Sequence, residues 1–155
     1  MLDRFDLKLL NLVQEDDSRT ADELARHVAL SPSAIARRLR RLRSTGVIGR
    51  TIALLAPGLT NRRLRAIVHV QLSEHADQRG KQALLNRIAK APQVQFCYEL
   101  AGVYDLVLLF DCAHMDEFTD TAEAVLVADP TVRRYETSFV KREVKFAPYV
   151  ELSEG

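Results

Sequence analysis

Between Arg37 and Arg50 the chain places six arginines and no acidic residue. Guanidinium groups at that density suit binding to a polyanion better than catalysis, and double-stranded DNA offers both the phosphates and the guanine edges they match. The spacing sharpens this reading. At 100° per residue, Ile35, Leu39 and Leu42 fall on one narrow apolar stripe, while Ser33, Arg37, Arg40 and Ser44 point away, with Arg41 beside them. Ser33 and Arg37 are placed for base edges, the latter bonding guanine O6 and N7 in bidentate fashion. Arg38, Arg40 and Arg41 suit phosphates, as does the Ser31 end, where a helix dipole favours an anion. With no acid in this stretch, its counter-charge is expected on another molecule.

Other reactive side chains form no comparable constellation. His27, His69, His75 and His114 lack metal-ligand or catalytic spacing, and single surface or strand histidines account for them. Cys97 and Cys112 read as buried free thiols. Tyr98, Tyr104, Tyr135 and Tyr149 read as sheet aromatics. The expectation is a protein with no metal, no cofactor and no catalytic residues.

The arginine stretch needs a helix, and its ends are written in. Ser31 can cap the first turn, Pro32 sits at the first helical position where its missing donor costs nothing, and Gly46 can adopt the left-handed conformation that ends a helix. Just before it, Thr20 to Glu23 forms a capping box, Leu24 and Val28 continue an apolar stripe, and Ala29-Leu30 makes the turn into Ser31. Two helices joined this tightly make a helix-turn-helix, the second exposed at its N-terminal end for a major groove. An earlier helix, capped by Asp3 with a Leu2–Leu7 staple and running from Arg4 to about Glu15, offers Leu7, Leu10 and Val13, with Phe5, Leu9 and Leu12, as the platform. Asp16-Asp17-Ser18 is a turn. Val47-Ile48 and Thr51 to Leu55 read as short β segments forming a wing, and Ala56-Pro57-Gly58 as a linker.

Composition agrees with a globular, two-part chain. Of 155 residues, 47% are hydrophobic and 28% charged, which excludes an intrinsically disordered protein. The net charge of +1 conceals a split: residues 1 to 50 carry ten Lys/Arg against seven Asp/Glu, whereas residues 51 to 155 carry twelve against fourteen. No stretch has the length of a membrane span or the pattern of a secretory leader, so a cytoplasmic protein without membrane partners is expected.

Past the linker the apolar period changes from 3.6 to 2. Ala66, Val68, Val70 and Leu72 alternate with polar neighbours as a strand. A helix follows from about Gln78 to Lys90 with Leu84, Leu85 and Ile88, ended by Ala91-Pro92. Val94 to Leu100 alternates again, Ala101 to Tyr104 turns, and Leu106 to Phe110 is a continuous apolar strand. Asp116 is placed to cap a helix carrying Phe118, Ala122, Val125 and Leu126, and Val132 to Lys145 reads as a long last strand. The order βαββαβ predicts a ferredoxin-like antiparallel sheet with both helices on one face, whose open face would pair with a second subunit. The chain thus divides into residues 1–50 (helix-turn-helix), 51–63 (hinge), 64–150 (ferredoxin-like) and 151–155 (tail), an α+β protein.

The stretches LDRFDLKLLNLVQEDDSRT, ELARHVALSPSAIARRLRRLRSTGVI and ALLAPG, then GVYDL and ETSFVKREVK, resemble the Lrp/AsnC, or feast-famine, family of regulators over essentially the whole chain. The resemblance implies a sequence-specific DNA-binding transcription regulator with an N-terminal winged helix-turn-helix. Its C-terminal domain, called RAM, would assemble homodimers into tetramers or octamers and bind a small effector, usually an amino acid. On that pattern the effector residues are Gly102, Tyr104 and Asp105 in the turn, Glu99 before it and Thr137 on the last strand. Two positions depart from the pattern: Ala29 stands where a glycine is common, which costs about 1 kcal/mol if that backbone needs positive φ, and Gly102 to Leu106 lacks one of the turn's two acids. Two alternatives use the same architecture. One is an architectural protein compacting DNA with little sequence choice; the other is an enzyme like the siroheme decarboxylases, to which Phe96-Cys97-Tyr98 is similar, although their tryptophan-bearing turn is absent.

Overall fold

The computed structural model describes residues 1–153, which fall into two units: residues 1–54 together with residues 145–153, and Leu55–Val144.

In the first unit, α1 (Arg4–Glu15), α2 (Ala21–Ala25) and α3 (Pro32–Ser44) pack around Leu9, Leu10, Leu24, Val28, Ile35, Leu39 and Leu42. Each helix starts where its cap predicts. Asp3 accepts from the N–H groups of Phe5 and Asp6 while the Asp6 carboxylate accepts from the Asp3 N–H, and Thr20 and Glu23 exchange the same pair of bonds. Ser31 accepts from the Ala34 N–H, and Gly46, at φ 75°, follows the end of α3. Leu2 remains 40% exposed, so the staple across the first cap is weak. Among the described residues no non-glycine has positive φ, so Ala29 occupies its turn without the steric cost that a left-handed conformation would impose. Beyond Ile48 the expected wing strands are absent: residues 49–56 pair with no strand, and Ile52, Leu54 and Leu55 stay 63%, 62% and 64% exposed. A β segment needs a neighbour for its backbone N–H and C=O groups, and none lies beside it within the described chain. The returning C-terminal segment is held on α1 by side-chain amides. Asn11 exchanges two hydrogen bonds of 2.9 Å with the Leu152 backbone, and Gln14 does the same with Val150.

The second unit opens with a short helix, α4 (Pro57–Thr60), and then runs β1 (Leu64–Leu72), α5 (Gln78–Lys90), β2 (Val94–Glu99), β3 (Leu106–Cys112), α6 (Met115–Ala122) and β4 (Val132–Phe139). A π-helical turn, Glu123–Val127, extends α6. The sheet is antiparallel in the order β2-β3-β1-β4, with β1 and β3 central. Ala66, Val68 and Val70 face Phe110, Leu108 and Leu106 across the central pair and bury against Leu84 and Ile88 of α5 and Phe118 and Ala122 of α6. Alternation leaves Ile67, His69, Val107, Leu109, Phe96 and Tyr98 on the opposite face, which neither α5 nor α6 covers. Three local expectations are corrected. The cap of α6 is His114, whose Nδ1 accepts from the Glu117 N–H, so Asp116 lies inside the first turn. The last strand ends at Phe139, opposite Ala66, instead of at Lys145: β1 has only Arg65 and Leu64 beyond that pair, and the one further backbone bond is from the Val140 N–H to the Arg65 C=O. Cys112 is buried, but Cys97, on edge strand β2, is only half-buried.

Candidate nucleic-acid interface and ligand turn

The two faces of α3 separate as the helical period requires. Ile35 and Leu42 are essentially buried and Leu39 is 8% exposed, whereas Ser33, Arg37, Arg40 and Ser44 are exposed. The arginines are not equivalent. Arg38 donates to both Asp3 and Asp6, at 2.7 and 2.8 Å, Arg41 donates to Asp6 at 2.5 Å, and Arg43 pairs with Asp17 at 2.6 Å. The counter-charge expected on another molecule is thus partly supplied by α1 and by the turn after it. Arg37 and Arg40 have no carboxylate partner among the described residues. Sequence reasoning missed Asp6 because its partners lie 32 and 35 residues away. The available signal was its place at the third helical position, beside the apolar stripe that meets α3. Ser31 uses its hydroxyl on the Ala34 N–H and lies 3.1 Å from that of Ser33.

Burial pushes the Asp6 carboxyl up, but Arg38, the Asp3 N–H and Arg41 together outweigh it and hold the group below the ordinary carboxylate range. The Asp6 N–H, then Arg38, lower Asp3, and the backbone and hydroxyl of Thr20 lower Glu23. Folded-state values below the unfolded ones contribute stability that is complete above the unfolded values and is lost as pH falls through the folded ones. Thermal melts are therefore expected to hold level above about pH 5 and to fall progressively below about pH 4. Asp3→Asn should flatten that decline.

The predicted effector residues do not converge within one chain. The N–H and C=O groups of Asp105 bond Val70 and Leu100, and its Oδ2 accepts from the Leu72 N–H at 2.8 Å, which ties the turn to β1. Its Oδ1 has no hydrogen-bond partner among the described residues. Tyr104 lies over the open sheet face, its ring 5.1 Å from His69 and 5.9 Å from the Arg134 guanidinium. The neighbouring Glu136 carboxylate, with burial second, raises its phenol pKa. A Cβ at Gly102 would meet nothing, so the turn stands open there. Glu99 is paired with Lys81 at 2.7 Å and lies on edge strand β2. Thr137 lies on the other edge strand, opposite Val68, on the helix-covered face. Three strand spacings, at least roughly 14 Å, separate Glu99 from Thr137, so the two cannot grip one amino acid in a single chain. His69, Arg134 and Glu136 were not foreseen near Tyr104; the β1–β4 register that aligns them is a property of the folded sheet.

Among the described residues no helix is long and apolar enough to cross a membrane. Two family models match the chain: a winged helix-turn-helix DNA-binding domain over residues 2–48 and the Lrp/AsnC ligand binding domain over residues 65–150. An uncharacterised helix-turn-helix transcriptional regulator of Sinorhizobium fredii is 35% identical over 97% of this chain and 90% of its own length. The leucine-responsive regulatory protein of Haemophilus influenzae is 32% identical, covering 97% of this chain and 90% of that one. A transcriptional regulator of Neisseria meningitidis, solved as a complex with L-Met, superposes with a TM-score of 0.84 at 31% identity, covering 99% of this chain and 97% of that one. With a helix-turn-helix ahead of an antiparallel sheet backed by helices, and with both family models matched in that order, the chain belongs to the Lrp/AsnC family of DNA-binding transcriptional regulators.

Proposed function

We propose that this regulator reads duplex DNA with the N-terminal half of α3, using Ser33 and Arg37 at base edges and Arg40 with the Ser31 helix end at phosphates. The observation that carries the assignment is the exposed pair Arg37 and Arg40, which lack carboxylate partners on a helix where the other arginines have them. In this reading Arg38 and Arg41, expected at phosphates from the sequence, are engaged by Asp3 and Asp6 and are not counted among the phosphate contacts. The protein acts without catalysis, in the cytoplasm, as a homodimer built on the open sheet face and assembling to tetramers or octamers. A dimer would read a near-palindrome with half-sites about one helical turn apart, or a multiple of it.

The effector in this proposal is an amino acid bound at the Gly102–Asp105 turn. The free Asp105 Oδ1 offers an acceptor for its ammonium group, and the turn's backbone offers donors for its carboxylate. The Neisseria relative's complex with L-Met supports this class of ligand. Glu99 and Thr137 would enter such a site only from different subunits.

The test is to map genomic fragments bound by the purified protein with and without the common amino acids, alongside thermal melts. Discrete near-palindromic sites, and one amino acid that both raises the melting temperature and changes DNA affinity, are expected. Uniform binding to all fragments would overturn the sequence-specific reading, and unchanged melts across the set would overturn the effector.

A further inference from the structure

The Asp6 carboxylate is 1% exposed and sits where α1 meets α3. It accepts from Arg38 at 2.8 Å, from Arg41 at 2.5 Å and from the Asp3 N–H at 3.2 Å. A carboxylate this deep needs compensation, so releasing its two arginines to a phosphate would leave a buried charge unpaired. Those arginines are nonetheless near the DNA-reading surface, since the Arg41 side chain is 50% exposed on the same helix as Arg37 and Arg40. Sequence-independent affinity for DNA rises with every phosphate a protein neutralises, because each contact releases condensed counterions.

We propose that Asp6 is a specificity-determining positioning residue: by holding Arg41, and by sharing Arg38 with Asp3, it keeps these cations from phosphates and so suppresses binding to arbitrary DNA. Recognition is left to Arg37 and Ser33, which can distinguish bases, with fewer indiscriminate contacts competing against them. The inference rests on the DNA-reading role assigned to α3.

The experiment measures the affinity of the full chain for a random-sequence duplex across a range of salt concentrations, for wild type, Asp6→Asn, Arg41→Ala and the double variant. Each phosphate contact adds about 0.9 to the magnitude of the slope of log affinity against log salt. Asp6→Asn is expected to bind the random duplex more tightly at low salt, with a slope steeper by about one, from the freed Arg41, because Asp3 still holds Arg38. Arg41→Ala should leave the wild-type slope unchanged and should remove about one contact's worth from the Asp6→Asn slope. Asp6→Glu, which restores the charge, should return the slope toward the wild-type value. A folded Asp6→Asn protein with the wild-type slope would overturn the inference. So would an Arg41→Ala slope shallower than wild type by a full contact, a result that decides the matter even if Asp6→Asn fails to fold. Failure of the folded wild type to bind any duplex would overturn the DNA reading itself, and is recognisable because the Asp6 comparison then has no baseline.

Discussion

Phe110→Ala is expected to cost the second unit about 3–5 kcal/mol and to lower its melting temperature by at least ~12 °C. The ring is fully buried on a central strand, faces Ala66 and Val94 across the sheet, and meets Phe118 edge to face at 5.4 Å. Phe118 in turn contacts Phe139 at 5.3 Å, so one truncation opens a cavity shared by β3, α6 and the end of β4. Close-packed surroundings collapse only partly into such a space, and domains of this size have little stability to spare. Urea titration followed by a probe in the sheet measures the change directly. A loss below about 1 kcal/mol would show that the site relaxes and that this aromatic chain is not what fixes α6 on the sheet.

Arg37→Ala should leave stability nearly unchanged and cost about 1–3 kcal/mol of affinity for the preferred site, roughly fivefold to more than a hundredfold, while relaxing preference at one base position. The stability half follows from exposure: Arg37 holds no ion pair among the described residues, so its removal leaves no carboxylate stranded. The affinity half follows from geometry, since a guanidinium on the outward face two turns or less from the Ser31 end stands where a recognition helix meets base edges. Arg40→Ala should behave differently, weakening preferred and random duplexes alike and making the salt slope shallower by about one. Binding isotherms for both variants on both duplexes, at several salt concentrations, separate base reading from phosphate contact.

The difference among these arginines marks how far the sequence could be read. Local signals were dependable wherever neighbours within a few residues decide the outcome. Asp3, Thr20 and Ser31 cap their helices as their spacing requires, and period-2 alternation identified the buried face of β1. Expectations that depended on distant partners were weaker. Asp6 and its arginines are brought together by the packing of α1 on α3, and nothing local in either helix announces the pair. The apolar alternation at Ile52 and Leu54 is real but finds no neighbouring strand among the described residues, so the pattern alone does not make a strand there. At α6, Asp116 is a good capping residue by type, yet the chain caps two residues earlier through His114, with Glu117 reaching back to the Ala113 N–H. The turn at Gly102–Asp105 was legible as a turn. That Tyr104 lies over His69 while Thr137 faces the helices follows from sheet order and register, which the chain's linear order does not display.

Hydrogen exchange along the full chain, with and without a saturating preferred duplex, tests most directly whether the outward face of α3 is the DNA-reading surface. The account predicts new protection from Ser31 through Arg40, with α1 around Asp6 and the sheet strands near their unbound rates. Unchanged exchange throughout α3, with protection appearing instead on the open face of the sheet, would contradict it.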